Sequence, residues 1–236
     1  MTPQRFVRLQ KILTQRQPDL TVLMDNVHKP HNFSAILRTC DATGVYKAHA
    51  VHDRSRLKPR RGIASGSKKW LKLSTHPDID TAITQLKAEQ FQFVVADLHP
   101  GAIDFRQVDY RQPTAIVLGA EMSGPSPQIL EAASHIVSIP MLGMVDSLNV
   151  SVAAALILFE AQRQRIAAGL YETSRLAADV YATTLFEWAY PKLARFYQRK
   201  KIPYPVLQED GQIIEETMHI AARMGHPQQR LHEGSD

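Results

Sequence analysis

The chain has 236 residues, enough for one substantial core with an appendage, and 44% hydrophobic with 22% charged residues excludes a disordered protein. Its single cysteine, Cys40, excludes an internal disulfide framework and a multi-cysteine zinc site, and no apolar run approaches the roughly 20 residues a bilayer span requires. The net charge of +5 is segregated, with +3 in residues 1–20, +7 in 54–69 and +5 in 163–201, so the remainder is acidic; such clustering fits a surface that meets a polyanion, nucleic acid above all.

Pro3 to Gln17 reads as an amphipathic helix with Phe6, Leu9, Ile12 and Leu13 on its apolar side, ending before Pro18. Arginines stand in Met1 to Lys11 where a secretory signal would be apolar, so a reducing, cytoplasmic setting is expected. From Leu20 to Val51 the pattern is strand, helix, strand, with Asn32 able to cap the helix and Gly44 able to close it. Phe33, Ile36, Leu37, Cys40 and Gly44 follow the helical period, which sets Arg38 on the opposite, polar face. Asn32 and Arg38 are six residues apart and share no helical face, so only tertiary folding could bring them to one site.

Further strands are expected at Phe91 to Leu98, Thr114 to Gly119 and His135 to Pro140, with helical patterns at Asp78 to Glu89, Ser126 to Ala133 and from Ser147 onward. Alternating strands and helices predict an α/β fold with a mostly parallel sheet covered by helices on both faces. The last of these helices is apolar almost all round from Val150 to Phe159 and turns polar at Gln162, so it should be buried first and exposed later. Beyond Gly169 the chain is helical and aromatic through Tyr204, and Gln208 to Asp236 is a polar tail expected to fray.

Three segments carry candidate chemistry: Asn32 to Arg38, Leu118 to Gly124, and Ile139 to Gly143 leading into Asp146-Ser147-Leu148-Asn149-Val150-Ser151. Two of them follow strand ends, where open α/β sheets bind ligands. Read as structure alone, Gly119 and Gly124 are turn glycines, Pro140 ends a strand, and Ser147 or Asn149 caps a helix. Three polar side chains opening an apolar helix still need partners, either backbone or ligand.

Together these segments resemble the three ordered motifs of the SpoU/TrmH branch of SPOUT methyltransferases. The stretches Arg16 to Thr21, His28 to Asn32 and Lys200 to Pro205 are similar to tRNA-modifying members of that branch, and Pro125 departs from it, standing where an aliphatic residue is usual. The resemblance implies a deep C-terminal trefoil knot and a homodimer, against the general rarity of knots. It also implies S-adenosylmethionine as cofactor and 2′-O-methylation of the ribose of a D-loop guanosine, position 18, in tRNA. It sets the catalytic domain at 20–160, between a basic N-terminal helix at 1–19 and a basic helical extension at 161–236 that grip tRNA.

By the same resemblance Ala96, Leu98, Gly119, Ile139, Met141 and Leu148 touch the cofactor, and Arg38 stands at the reacting hydroxyl. Asn32, Glu121, Ser147 and Asn149 shape the pocket, and Arg5, Arg8, Arg16, Arg163, Arg165, Arg195 and Lys200 hold the tRNA backbone. An arginine is almost never deprotonated, so a charged Arg38 that clamps phosphate and stabilises the developing alkoxide is favoured over a general base.

Relatives with the same core modify other RNAs, so 2′-O-methylation of another RNA is an alternative to the tRNA guanosine, and two readings from other classes stay open. Gly62 to Lys69 is Walker-like, and Phe91 to Asp97 is an apolar strand ending in an acid, but a phosphate loop needs four residues between its glycines and lysine directly after the second. The other is a catalytically silent RNA-binding protein, for which retention of Asn32, Arg38, Glu121, Ser147 and Asn149 together would have no purpose. A Rossmann methyltransferase is disfavoured, because no Gly-rich loop of the GxGxxG kind follows an early strand.

Overall fold

A computed structural model describes residues 1–51 and 69–214. The basic cluster at 54–69 and the Walker-like segment therefore lie outside the described residues save for their last member, Lys69, and so does the tail from residue 215. The described chain divides into two compact units, 14–175 and 1–13 with 176 onward. The first of these units is continuous in sequence, whereas the second joins residues 1–13 to the described residues 176–214.

The larger unit is built on a sheet whose strands, among the described residues, are β1 Leu20–Asp25, β2 Lys47–Val51, β3 Lys72–His76, β4 Gln92–Ala96, β5 Ile103–Asp104, β6 Thr114–Leu118 and β7 His135–Ser138. Their order is β3-β2-β1-β6-β4-β7-β5, and every pairing is parallel. The sheet is therefore wholly parallel. β3 and β5 are absent from the sequence reading: β3, Lys72 to His76, is mostly polar, and β5 has only two residues.

The β-strand period of two sends alternate residues to opposite faces. Val22 and Met24 of β1, Val94 of β4, and Ile116 and Leu118 of β6 join one core with Ile36, Leu37 and Cys40 of α2 (Pro30–Ala42) and Ala154, Ile157, Leu158 and Ala161 of α5 (Val150–Ala167). Leu23, Phe93, Val95, Ala115 and Val117 join the other with α3 (Ile79–Ala88) and α4 (Pro127–Glu131). Helices thus cover both faces. On the second of these faces His49 of β2 lies buried against His76 of β3, Nδ1 to Nε2 2.8 Å.

Three local expectations are corrected. Asn32 does not cap α2: the helix opens at Pro30, whose fixed φ suits the first helical position, with Lys29 at the cap and Asn32 buried in the first turn. The helix α5 starts at Val150 rather than Ser147, and Asn149 is its cap, accepting a hydrogen bond from the Ser151 amide at 2.9 Å. Nor is its apolar stretch wholly buried, since Val152, Leu156 and Phe159 are exposed.

Two arginines assigned to tRNA contact are instead structural. Arg16 is buried and ion-paired with Asp41 while donating to the Val45 carbonyl at 3.0 Å. Arg165 is fully buried; its guanidinium donates to the Asp19 carboxylate at 2.7 Å, to Gln17 Oε1 at 3.0 Å, and to the carbonyls of Tyr110, Asp19 and Gln112. Arg175 also pairs with Asp19. A cation this deep is stable only when fully bonded, and bonding on this scale leaves none of its donors for a phosphate.

In the smaller unit, α1 (Pro3–Thr14) contributes buried Phe6, Leu9 and Leu13, while α6 (Ala178–Ala189) and α7 (Pro191–Lys200) supply Phe186, Trp188 and Tyr197. Phe186 stacks on Tyr204 at 4.6 Å between centroids and meets Tyr197 edge-on at 6.0 Å. Tyr190 reaches the Gly211 carbonyl with its hydroxyl at 2.8 Å, and the Tyr181 hydroxyl donates to the Gln10 carbonyl of α1. Aromatic rings thus pack beside leucines to hold this unit.

Candidate active site

A cavity of about 470 Å³ opens at the carboxyl ends of the adjacent strands β6, β4 and β7, the edge where parallel sheets leave backbone groups without strand partners. Ala96, Leu98, Gly119, Ile139, Met141 and Leu148 all line it, as do Glu121, Ser147 and Asn149. Its floor is apolar, from Leu118, Val137, Ala153 and Ile157. Folding thus gathers every cofactor candidate onto one surface, together with all the catalytic candidates except Asn32 and Arg38.

The loop after β6 owes its shape to glycine. A Cβ on Gly119 would stand 2.2 Å from the Pro125 nitrogen and 2.3 Å from the Gly124 carbonyl carbon, closer than atoms can approach. Gly124 has φ +69° and exchanges backbone hydrogen bonds with Ala120 at 2.9 and 3.1 Å, pinching residues 120–124 into a tight turn. Pro125, the departure from the family pattern, is buried there, and the loop is anchored where Ser126 donates through its amide and hydroxyl to Asp25 at 2.8 and 2.7 Å.

Polar side chains join the three motifs in one chain of hydrogen bonds. The Ser151 hydroxyl donates to Asn149 Oδ1 at 2.7 Å, the Asn149 amide to Asn32 Oδ1 at 3.1 Å, and the Asn32 amide to Glu121 Oε1 at 2.7 Å. Glu121 also accepts from the amides of His28 and Lys29 at 3.3 and 3.2 Å. Burial pushes the Glu121 carboxyl up, but the Asn32 bond and the backbone amides outweigh it and hold the carboxyl below its ordinary value. Glu121 is therefore an ionised acceptor near neutral pH, an organiser of the loop rather than a proton donor.

Asn32, a residue of no cavity wall, orients through this chain two residues that are. Arg38, the remaining candidate, is exposed on α2, and among the described residues no carboxylate pairs with it. Ser147 is exposed at the cavity rim. Of the arginines and lysine assigned to RNA, Arg5, Arg8, Arg195 and Lys200 are exposed, and exposed Arg163 forms a two-point pair with Glu160.

Sequence reasoning gave no role to the side chains of Lys29, Asp97 and Asp146 on the cavity wall or to Asp25 behind it. For Asp97 the signal existed, an acid directly after an apolar strand, but it was attached to the phosphate-loop reading. Asp25 offered none, because its partner Ser126 lies 101 residues away.

Comparison with known proteins agrees with this arrangement. The SpoU rRNA Methylase family model matches residues 19–159, and the model of the SpoU rRNA methylase C-terminal region matches 163–216. A tRNA (guanosine(18)-2′-O)-methyltransferase of Escherichia coli K12 is 47% identical over 215 residues, 90% of this chain and 94% of that protein. One of Thermus thermophilus is 52% identical over 187 residues, 79% of this chain and 96% of that protein. Among solved structures, the TrmH/SpoU tRNA modifying enzyme of A. aeolicus superposes with a TM-score of 0.73 at 42% identity, covering 80% of this chain and 97% of that one. The SpoU methyltransferase AviRb of Streptomyces viridochromogenes, solved with AdoMet, does so at 0.56 and 28%, covering 65% and 62%. By these matches, the chain belongs to the SpoU rRNA methylase family.

Proposed function

We propose that this protein transfers the methyl group of S-adenosylmethionine to the ribose 2′-hydroxyl of guanosine 18 in the D-loop of tRNA. The observation that carries the reading is the cavity at the ends of β6, β4 and β7, which joins the second and third motif loops, with the first tied to both through Asn32, in a family whose relatives are named tRNA (guanosine(18)-2′-O)-methyltransferase. Its volume lies within the roughly 300–1,000 Å³ of small-molecule sites, and its mixture of apolar floor and strand-end backbone suits a nucleoside with a charged tail. Ala96, Leu98, Gly119, Ile139, Met141 and Leu148 would hold the cofactor, which supplies an electrophilic methyl on a sulfonium.

The chain's own task is to position the ribose and raise the nucleophilicity of its hydroxyl. Arg38, on the exposed side of α2, keeps its charge, pairs with a substrate phosphate and stabilises negative charge on the 2′-oxygen. Asn32, Glu121 and Asn149 fix the loops between which that oxygen must enter, with Ser147 at the rim. Arg5, Arg8, Arg195 and Lys200 grip the tRNA backbone, and Arg163 joins them when phosphate replaces Glu160. We read the segment between β7 and α5 as threaded through the loop after β6 in a trefoil knot, and the exposed Val152, Leu156 and Phe159 as the contact of a homodimer; their apolar character supports that reading. A tRNA substrate sets the activity in the cytoplasm.

The test is transfer of labelled methyl to an unmodified tRNA transcript, with the modified nucleotide mapped, for the native chain and Arg38→Ala. The expected result is 2′-O-methylguanosine at position 18 that vanishes with Arg38→Ala. Native-like turnover by that variant would overturn the role of Arg38, and methylation of another RNA alone would overturn the substrate.

A further inference from the structure

One exposed face of α7 combines features that backbone contact alone does not require. Lys192, Arg195, Phe196, Arg199 and Lys200 are all exposed, while Ala194 and Tyr197 turn inward. At helical spacing Phe196 lies between Lys192 and Lys200, four residues to either side, and beside Arg199, one turn on. Its ring, 43% exposed, sits amid cations and meets the Tyr197 ring edge-on at 5.8 Å.

No acid interrupts α7, and among the described residues none of these four cations has a carboxylate partner. Glu187, the carboxylate bonded to this helix, is occupied by Gln198 and Tyr204. An open depression of about 660 Å³ is bounded by Lys192, Arg195, Gln198 and Arg199. The occupant such a face fits is a polyanion that also carries flat apolar surface.

We propose that this face is a platform for an unpaired nucleotide of the RNA, with Phe196 stacking on the base and Lys192, Arg195 and Arg199 holding the phosphates beside it. The proposal rests on the tRNA reading above and deepens it. A duplex would need only the cations, because paired bases keep their faces inside the stack, whereas loop nucleotides offer theirs to aromatic side chains. The face thus selects for a looped-out or single-stranded segment, apart from the guanosine that receives the methyl.

The experiment measures the affinity of the full chain for unmodified tRNA transcript over a range of salt concentrations, with S-adenosylmethionine affinity and thermal melting as controls. Phe196→Ala is expected to weaken tRNA binding about tenfold, the usual worth of one stacked base, without changing the slope against log salt; Phe196→Trp should restore native affinity. Arg199→Ala should lower that slope by about one. Because Phe196 is exposed, native melting of Phe196→Leu separates loss of stacking from loss of folding. Native affinity in Phe196→Ala, or equal weakening by Phe196→Ala and Phe196→Trp, would overturn the platform. If the native chain itself fails to bind tRNA, the proposed substrate fails first.

Discussion

The buried histidine pair makes the sheet sensitive to acid by a calculable amount. Burial, with help from the Lys47 charge and His76, lowers the His49 pKa from 6.5 to about 3, and burial also lowers that of His76. The 2.8 Å contact needs one ring nitrogen to donate and the other to accept, so the two imidazoles cannot both be protonated in it. The unfolded chain therefore binds more protons than the folded one below pH 6.5, and stability falls as pH drops through the window from about 6.5 to about 3. Between pH 7 and pH 5 His49 alone should remove about 2 kcal/mol. Urea unfolding followed by circular dichroism at both pH values would show this loss in the native chain. His49→Phe, which keeps an aromatic ring in the site, should show a loss smaller by about 2 kcal/mol, since carboxylates contribute alike to both proteins. Superimposable pH dependences would refute the reasoning.

Other substitutions separate architecture from chemistry. Gly119→Ala must displace the turn at 120–124 and should weaken S-adenosylmethionine binding at least about tenfold by calorimetry, roughly 1.4 kcal/mol, with far-UV dichroism unchanged; native affinity would show that the turn does not form the site. Asn32→Ala takes one hydrogen bond each from Glu121 and Asn149, so unfolding free energy should drop by about 1–3 kcal/mol and methyl transfer should fall with it; a stable, fully active variant would remove the hydrogen-bond chain from the mechanism. Arg165→Met should cost about 3 kcal/mol in urea, the lower end for breaking a buried pair because Arg175 still serves Asp19. The folded fraction of that variant should bind tRNA with the native salt slope, whereas a slope lowered by about one would mark Arg165 as a phosphate contact after all.

How far the residues alone led depended on the range of the interaction. The local pattern located the central strands and the helices, since β1 and β6 are buried along their whole length and so read as nearly continuous apolar runs. It passed over β3, where Lys72, Ser74 and Thr75 leave little apolar alternation. The cavity residues came from resemblance, not from spacing, because the strand ends that meet there are set by crossovers no local rule specifies. Charge counting erred where it could not see depth: Arg16 and Arg165 add to basic clusters in the sequence yet spend their charge on Asp41 and Asp19 inside the protein. For Asn32 the local pattern suggested only a helix cap, and it was the resemblance that set it in the pocket, where its buried amide ties three motifs together.

The pairing of the chain's two ends in one unit also sets an order in time. During synthesis α1 is made before 14–175 and its partners only after it: Tyr181, which bonds Gln10, and Gly211, which lies against the Phe6 ring. The sheet and its cavity can form while Phe6, Leu9 and Leu13 still lack a core. A C-terminally clipped protein would therefore carry a finished pocket while α1 lacked its partners, and the missing segment supplied as a separate peptide becomes a natural candidate for complementation.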